Sequence, residues 1–158
     1  MSEVPSEPTE GVYAVRSAYL DCAIQVGVAS GRVVSVAFTD TPDPAAGDDH
    51  SLPDRIETYL EGVEDDFADV AVALTVPTEQ RTVLEALQDV PYGEQVSVEQ
   101  LGRMTAGLDA TERDGLSTVR HALADNPVPL LIPDHRVRDG PSAAPPSVEQ
   151  RLRDIEGL

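Results

Sequence analysis

The amino-acid sequence predicts an α/β (α+β) protein in two parts, a small N-terminal domain that contains a sheet and a C-terminal domain made of helices. Before Phe38 the apolar residues form runs of the kind found in strands, whereas after Pro77 they recur at helical spacing. The length of 158 residues suits one domain of ordinary size or two small ones that share an interface. We therefore expect a disordered acidic tail at residues 1–11, an N-terminal α/β domain at 12–76 and a helical domain at 77–158.

The N-terminal domain is predicted to contain a hairpin, a helix and a further strand. Apolar runs at residues 18–29 and 32–38 flank a Ser-Gly turn, which is the pattern of a β-hairpin. A helix is predicted over residues 52–63, with a proline near its first turn. Its apolar residues recur at helical spacing, namely Ile56, Tyr59, Leu60 and Val63. The apolar run at residues 70–76 again has the pattern of a strand.

The helical domain is predicted to begin with two helices. Thr78 is placed to cap the first helix. The apolar residues of that helix form one stripe, namely Val83, Leu84, Leu87 and Val90. The segment Ser97-Val98-Glu99-Gln100 then fits a capping box, which opens a short helix that buries Leu101 and Met104.

A third helix is predicted over residues 116–125, after a connection at residues 108–115. Its inward positions are apolar, namely Leu116, Val119 and Leu123. Three helices at this spacing favour a helix-turn-helix, in which the last helix reads DNA.

The charge composition bears on the salt environment of the protein and on DNA binding. The net charge is −18, and all 11 basic residues are arginine against 29 acidic residues. A surface without lysine and rich in acids resembles proteins from organisms with molar salt in the cytoplasm, where the Debye length is about 3 Å; the alternative is an acidic mesophilic protein that avoids nucleic acid. Charge argues against DNA binding in ordinary salt and much less in molar salt, where counterion release contributes little. Eight of the 11 arginines lie in residues 78–158.

Targeting and metal-binding signals are missing from the sequence. The N-terminus has no basic start and no apolar segment of a signal peptide, and no run approaches the roughly 20 apolar residues of a membrane span. We expect a cytoplasmic monomer without membrane contact. The single cysteine, Cys22, excludes an internal disulfide and a cysteine-based metal cluster, and its apolar run predicts a small core residue. Neither a metal nor a cofactor is expected.

Several motifs in the C-terminal domain occur in a recognisable order. They are Pro91-Tyr92-Gly93, the segment Asn126-Pro127-Val128-Pro129 that leads into Pro133-Asp134-His135-Arg136, and finally Glu156-Gly157. In this order they resemble the O6-alkylguanine-DNA alkyltransferases, also called methylated-DNA-protein-cysteine methyltransferases. The specific match covers residues 77–158. The resemblance implies a small sheet-containing domain followed by a helical, winged-helix-like DNA-binding domain.

The resemblance also implies roles for the residues around the motif. In the family a buried cysteine, activated by the next histidine, accepts an alkyl group from a flipped guanine; here Asp134 stands in its place. His135 would be the retained histidine, Glu156 its carboxylate partner, Asn126 a brace of the motif turn and Arg136 a buried structural arginine. A carboxylate is a much weaker nucleophile than a thiolate. We expect no catalytic residue, and we expect Asp134 either to bond His135 or an arginine or to face an open, hydrated pocket.

Three departures from the family's pattern bear on DNA binding. Val98 replaces a tyrosine that helps to rotate the nucleotide, Ser117 replaces the intercalating arginine, and residues 137–148 form a short loop without the usual aromatic residue. Arg120 or Arg113 would then supply the wedge or a phosphate contact. The residues expected to meet DNA are Arg113, Ser117, Arg120, Asn126, Asp134, His135 and Arg136.

Three functions remain open from the sequence. The first is a non-catalytic alkyltransferase-like protein that binds DNA, recognises alkylated guanine and flags it to DNA-repair proteins. The second is a degenerate scaffold of the family that binds a protein partner. The third is the parent methyltransferase activity, which would need Asp134 or Cys22 as acceptor.

Overall fold

The computed structural model describes residues 8–109 and 111–158. Most of the predicted tail, residues 1–7, lies outside the described residues. The end of the tail is corrected by the structure, because the first strand begins at Gly11. Glu10 is also fixed in place: its carboxylate accepts a hydrogen bond from the Ser30 amide at 2.9 Å, and its carbonyl accepts one from the Tyr13 hydroxyl at 2.6 Å.

The N-terminal half is built on a three-stranded antiparallel sheet. Its strands are β1 (Gly11–Ser17), β2 (Cys22–Ala29) and β3 (Arg32–Thr39), arranged in that order. The predicted hairpin between β2 and β3 is confirmed, and its turn places Ala29 opposite Arg32. The central strand supplies most of the buried face of the sheet, because it is apolar at nearly every position.

The predicted helix of this half is confirmed as α1 (Ser51–Leu60). Five of its residues are buried, namely Leu52, Pro53, Ile56, Tyr59 and Leu60. Val63 was expected to extend this stripe, but the helix ends before it and Val63 is 52% exposed.

The strand predicted at residues 70–76 is wrong. Only Val72 forms a bridge, with Val33 of β3. The physical reason lies at the edge of β3, where the Val36 amide donates to the carbonyl of Pro127 at 2.9 Å. Pro127 of the C-terminal half therefore occupies the edge of β3 beyond Val33, and residues 70–76 cannot pair with β3 beyond Val72.

The C-terminal half is helical. It contains α2 (Thr78–Leu87), α3 (Val98–Met104) and α4 (Arg113–Ala124), and α4 packs against both of the others. The capping box predicted for α3 is confirmed: the Ser97 hydroxyl accepts from the Gln100 amide at 3.0 Å, and the Gln100 side chain accepts from the Ser97 amide at 2.8 Å. The order of helices is that predicted from the sequence.

Three details of these helices differ from the prediction. Pro77, not Thr78, is the N-cap of α2, because Thr78 already has its place in the first helical turn. Met104 is 42% exposed, since α3 ends there. The third helix begins at Arg113 and not at residue 116, so that Gly115 lies inside its first turn.

A last helix closes the described chain behind the tetrapeptide motif. The motif forms a 3-10 turn at Asp134–Arg136, and α5 (Pro146–Glu156) packs against that turn. The longest described helix has 12 residues, and no helix in the described ranges has the length and apolar character to cross a membrane.

Candidate functional site around the buried motif

The tetrapeptide Pro133–Arg136, here called the motif turn, is buried inside the molecule. Asp134, His135 and Arg136 have relative exposures of 0%, 1% and 4%. The preceding chain approaches through a tight turn in which the Ile132 amide donates to the Val128 carbonyl at 3.0 Å. Leu130, inside that turn, has the left-handed φ of 81°, which is rare for a residue with a branched side chain. Packing of the surrounding core holds this strained backbone next to the motif.

Asp134 is enclosed by hydrogen-bond donors. Its carboxylate accepts from the Ser142 hydroxyl at 2.5 Å, from the Ala143 amide at 2.9 Å and from the Asn126 side-chain amide at 3.1 Å. The expectation that Asp134 would bond His135 or an arginine, or face an open pocket, is therefore wrong. The reason is that residues after the motif turn fold back over the carboxylate and supply neutral donors.

The environment of Asp134 makes its ionisation less favourable than that of an exposed aspartate. Burial raises the pKa of the Asp134 carboxyl, and the hydrogen bonds from Ser142, Ala143 and Asn126 only partly offset that rise. The Asp134 carboxylate is a poor nucleophile in this setting, because three donors occupy its oxygens.

Glu156, at the end of α5, is the centre of a second buried network. Its carboxylate accepts from His135 Nε2 at 2.5 Å, from Arg136 Nε at 2.8 Å and from the Gly93 amide at 3.0 Å. The hydroxyl of Tyr59 in α1 also donates to it. Four segments distant in sequence thus meet at one carboxylate, and one of them comes from the N-terminal half.

The pKa values of Glu156 and Tyr59 are both shifted by this network. Burial raises the pKa of Glu156, but hydrogen bonds from His135 and Arg136 outweigh burial and lower it to about 2. Burial and the nearby Glu156 carboxylate raise the pKa of the Tyr59 hydroxyl, which stays protonated as a donor. Glu156 is therefore ionised and fully satisfied at neutral pH.

His135 has the surroundings of a general base without a nucleophile. Its Nε2 contacts Glu156, whereas its Nδ1 is buried and has no hydrogen-bond partner among the described residues. An imidazole fixed by a carboxylate through one nitrogen, with the other nitrogen unpaired, is the arrangement that activates a nucleophile. The neighbouring Asp134 offers no proton-bearing thiol for it to act on.

Two arginines hold the backbone around the motif turn. Arg136 donates to the Val90 carbonyl at 2.8 Å in addition to its two bonds to Glu156. Arg153 of α5 donates to the carbonyls of His135, at 2.9 Å, and of Val137, at 2.8 Å. The guanidinium groups therefore satisfy main-chain acceptors that the turn leaves unpaired.

The segment at residues 138–145, here called the closing loop, runs from the motif turn to α5. Asp139 at its start accepts from the Val98 amide at 2.7 Å and so caps α3. At Gly140 a side chain would come within 2.7 Å of Leu123, so the loop backbone lies directly on the helical core. Its far end is bound to Asp134 through Ser142 and Ala143.

The predicted DNA-binding residues separate into two groups in the structure. Asn126, Asp134, His135 and Arg136 are buried, so in this conformation they have no surface from which to touch DNA. Arg113, Ser117 and Arg120 instead lie along one side of α4, because their spacing of four and three residues follows the helical repeat. The two arginines are exposed and form no ion pair with any described carboxylate.

Cys22, the only thiol, lies in the first position of β2 and is 7% exposed. Burial and the nearby Asp40 carboxylate raise the pKa of this thiol, which disfavours the thiolate. It is placed as a core residue, as predicted from its apolar run. Within residues 8–109 and 111–158, no cluster of three or more histidine, cysteine, aspartate or glutamate side chains is arranged to hold a metal ion.

Sequence reasoning missed three residues of the site. The sequence predicts Tyr59 only as part of an apolar helix stripe, although a tyrosine in a core position usually needs a partner for its hydroxyl. Arg153 and Ser142 carry no local signal, because their partners are backbone carbonyls and a carboxylate brought together only by folding.

A small sheet joined to a helical half, with a buried histidine, arginine and glutamate in one network, matches the alkyltransferase class that the sequence motifs resemble. Residues 78–145 match the family described as 6-O-methylguanine DNA methyltransferase, DNA binding domain. The methylated-DNA–protein-cysteine methyltransferase of Methanopyrus kandleri is 34% identical over 112 residues, which cover 68% of this chain and 80% of that protein. The chain belongs to the O6-methylguanine DNA methyltransferase family.

Solved structures share the fold. The O6-methylguanine methyltransferase of Mycobacterium tuberculosis superposes with a TM-score of 0.68 at 20% identity, covering 92% of this chain and 93% of that one. The structure of the Mycobacterium tuberculosis protein in complex with DNA gives a TM-score of 0.63 at 21% identity, covering 81% and 78%.

Proposed function

We propose that this protein binds DNA and does not transfer an alkyl group to itself. The observation that carries the proposal is Asp134, which stands at the acceptor position with its carboxylate buried and occupied by three donors. The retained contact between His135 and Glu156 then keeps the motif turn folded and has no nucleophile to activate.

The outward side of α4 supports the DNA-binding part of the proposal. Arg113, Ser117 and Arg120 follow one another along this side, and the two arginines are free to contact phosphates. We infer that residues 77–158 form the DNA-binding domain, supported by residues 12–76, which contribute Tyr59 to the buried network.

Binding to a duplex tests this directly. We expect saturable binding in 1–2 M KCl, with affinity reduced about tenfold in the double variant Arg113→Ala/Arg120→Ala through loss of two phosphate contacts. The matched control is Arg81→Ala, which removes an exposed arginine from α2. No saturable binding, or equal losses in both variants, would refute the proposed surface and favour a scaffold that binds a protein partner.

A mass measurement tests the missing activity. The protein is incubated with a duplex that carries O6-methylguanine with a labelled methyl group, and the intact mass and peptide masses are then determined. We expect no added methyl group on Asp134 or Cys22, because the first is enclosed and the thiol of the second is protonated. Stoichiometric labelling of either residue would restore the methyltransferase interpretation. Recognition of alkylated guanine would require the enclosed Asp134 site to open to a base.

A further inference from the structure

We propose that Asp134 is a latch that holds the closing loop over the acceptor position, so that the protein binds duplex DNA with its bases stacked and does not distinguish O6-methylguanine from guanine. The inference rests on the proposed DNA binding and adds which form of DNA is bound. It concerns the kind of DNA that is recognised: an intact duplex rather than an extruded base.

The latch consists of bonds between the motif turn and the closing loop. Ser142 and Ala143, both in the loop, donate to the two carboxylate oxygens of Asp134 at 2.5 and 2.9 Å. The Ser142 hydroxyl also accepts from the Ala144 amide at 3.1 Å, which ties the next residue to the same centre. Ala144 is itself buried. The space beside the acceptor position is therefore filled by the protein's own chain.

The opposite end of the closing loop is fixed as well. Asp139 caps α3 through the Val98 amide, and Gly140 lies against Leu123 and Val98. A loop held at both ends cannot swing away as a unit. Admission of a base requires the bonds of Ser142 and Ala143 to break, which leaves a buried carboxylate with Asn126 as its remaining donor.

Asp134 also differs from a cysteine in the number and strength of the hydrogen bonds that it can accept. A thiol is a weak hydrogen-bond acceptor, whereas a carboxylate accepts several strong bonds at once. The aspartate at this position therefore supplies the acceptors that the Ser142 hydroxyl and Ala143 amide need. Extrusion of a base must already overcome the loss of stacking and pairing, and the latch adds to that cost.

The latch can be measured in the free protein by amide hydrogen exchange. We expect the Ala143 amide to be protected and its exchange to accelerate at least tenfold in Asp134→Asn, whose side-chain NH2 meets donors where the carboxylate accepted. Ser142→Ala removes one donor and should accelerate exchange less, while Ser147→Ala, an exposed serine of α5, should leave it unchanged. Unprotected Ala143 in the wild type, or unchanged exchange in both latch variants, would overturn the inference.

The consequence for DNA is tested with paired duplexes that differ only in one O6-methylguanine, and with a duplex that carries 2-aminopurine as a reporter of extrusion. We expect affinities that agree within twofold and no rise in 2-aminopurine fluorescence on binding. A preference above fivefold for the methylated duplex, or a fluorescence rise at saturation, would overturn the latch and leave the proposed DNA binding intact. Absence of binding to both duplexes would overturn the proposed function and the claim about DNA with it, while Ala143 exchange would still report whether the loop is latched.

Discussion

At the scale of single residues, two buried carboxylates carry opposite electrostatic roles. Glu156 is surrounded by Arg136, His135 and an N–H of the main chain, and its pKa falls to about 2 despite burial. Asp134, only one residue from His135 in sequence, is surrounded by neutral donors and its pKa rises. The first carboxylate gains from ionisation in the folded protein, and the second does not. Charge at Glu156 therefore contributes stability, whereas Asp134 contributes mainly the position of a loop.

The Glu156 network predicts a specific loss of stability in acid. Because the folded pKa lies below the ordinary value of 4.5, its contribution is complete above about pH 4.5 and is lost as the pH falls toward 2. The shift corresponds to about 3 kcal/mol of unfolding free energy. We expect Glu156→Gln to lose about that amount at pH 7, since Arg136 is left without its carboxylate.

Urea unfolding of both proteins between pH 7 and pH 2.5 is the measurement. The difference in stability between wild type and Glu156→Gln should shrink as the pH falls. Tyr59→Phe is the comparison, because it removes one donor to the ionised carboxylate and leaves Arg136 and His135 in place; it should cost about 2 kcal/mol. A wild-type advantage that stays constant down to pH 2.5 would show that Glu156 is not ionised in the network.

At the scale of elements, α4 is positioned by the connection that precedes it. A β-carbon at Gly115 would lie 2.0 Å from the Asp109 carbonyl, so the chain before the helix passes directly over its first turn. The sequence predicted the helix from its apolar stripe but began it at residue 116, because glycine is a poor helix former when only local propensity is considered. The close approach explains why a glycine stands in the first turn and sets where Arg113 and Ser117 lie.

Gly115→Ala tests this contact. Alanine would raise helix propensity by about 1 kcal/mol, but collision with a main-chain carbonyl forces a backbone shift that costs more. We expect a net loss of about 2 kcal/mol in urea unfolding. Gly62→Ala is the matched control, since Gly62 has a left-handed φ of 101° and open space around it, so that only the smaller backbone strain applies. A Gly115→Ala protein that is more stable than the wild type would exclude the contact.

At the scale of the whole molecule, the net charge of −18 acts against the compact state. Few carboxylates are neutralised locally: Arg55 binds Asp65 and Asp69, and most exposed acids of the described residues have no arginine beside them. Repulsion among these charges extends over about 10 Å in 0.1 M salt and about 3 Å in 1 M salt. Concentrated salt should therefore stabilise this fold, in keeping with the halophilic origin proposed from its lysine-free composition.

We expect the midpoint of thermal unfolding to rise steadily between 0.1 and 2 M KCl. A gain of about 1 kcal/mol corresponds to about 2–4 °C for a chain of this size. The control is the triple variant Glu61→Gln/Glu64→Gln/Glu94→Gln, which removes three exposed charges and should show a shallower rise. A midpoint that does not change with KCl, or an equal slope in both proteins, would contradict an electrostatic origin.

The sequence by itself determined the order and type of most elements, because the apolar patterns of β2, β3, α1, α2 and α3 follow from local spacing and turn residues. It also identified the motif turn and the partnership of His135 with Glu156, since these follow a family pattern. It missed that residues 70–76 form no strand, because the edge of β3 is partly occupied by Pro127.

Only the tertiary structure decided what Asp134 does. Its partners Ser142, Ala143 and Asn126 lie eight or nine residues away, and the loop that brings two of them back is fixed by contacts with α3 and α4. Tyr59 reaches Glu156 across 97 positions of the chain. Local sequence patterns predict the backbone conformation of an element and which of its sides is buried. Which donor satisfies a buried carboxylate depends on long-range packing, and this packing turned an acceptor position into a structural contact.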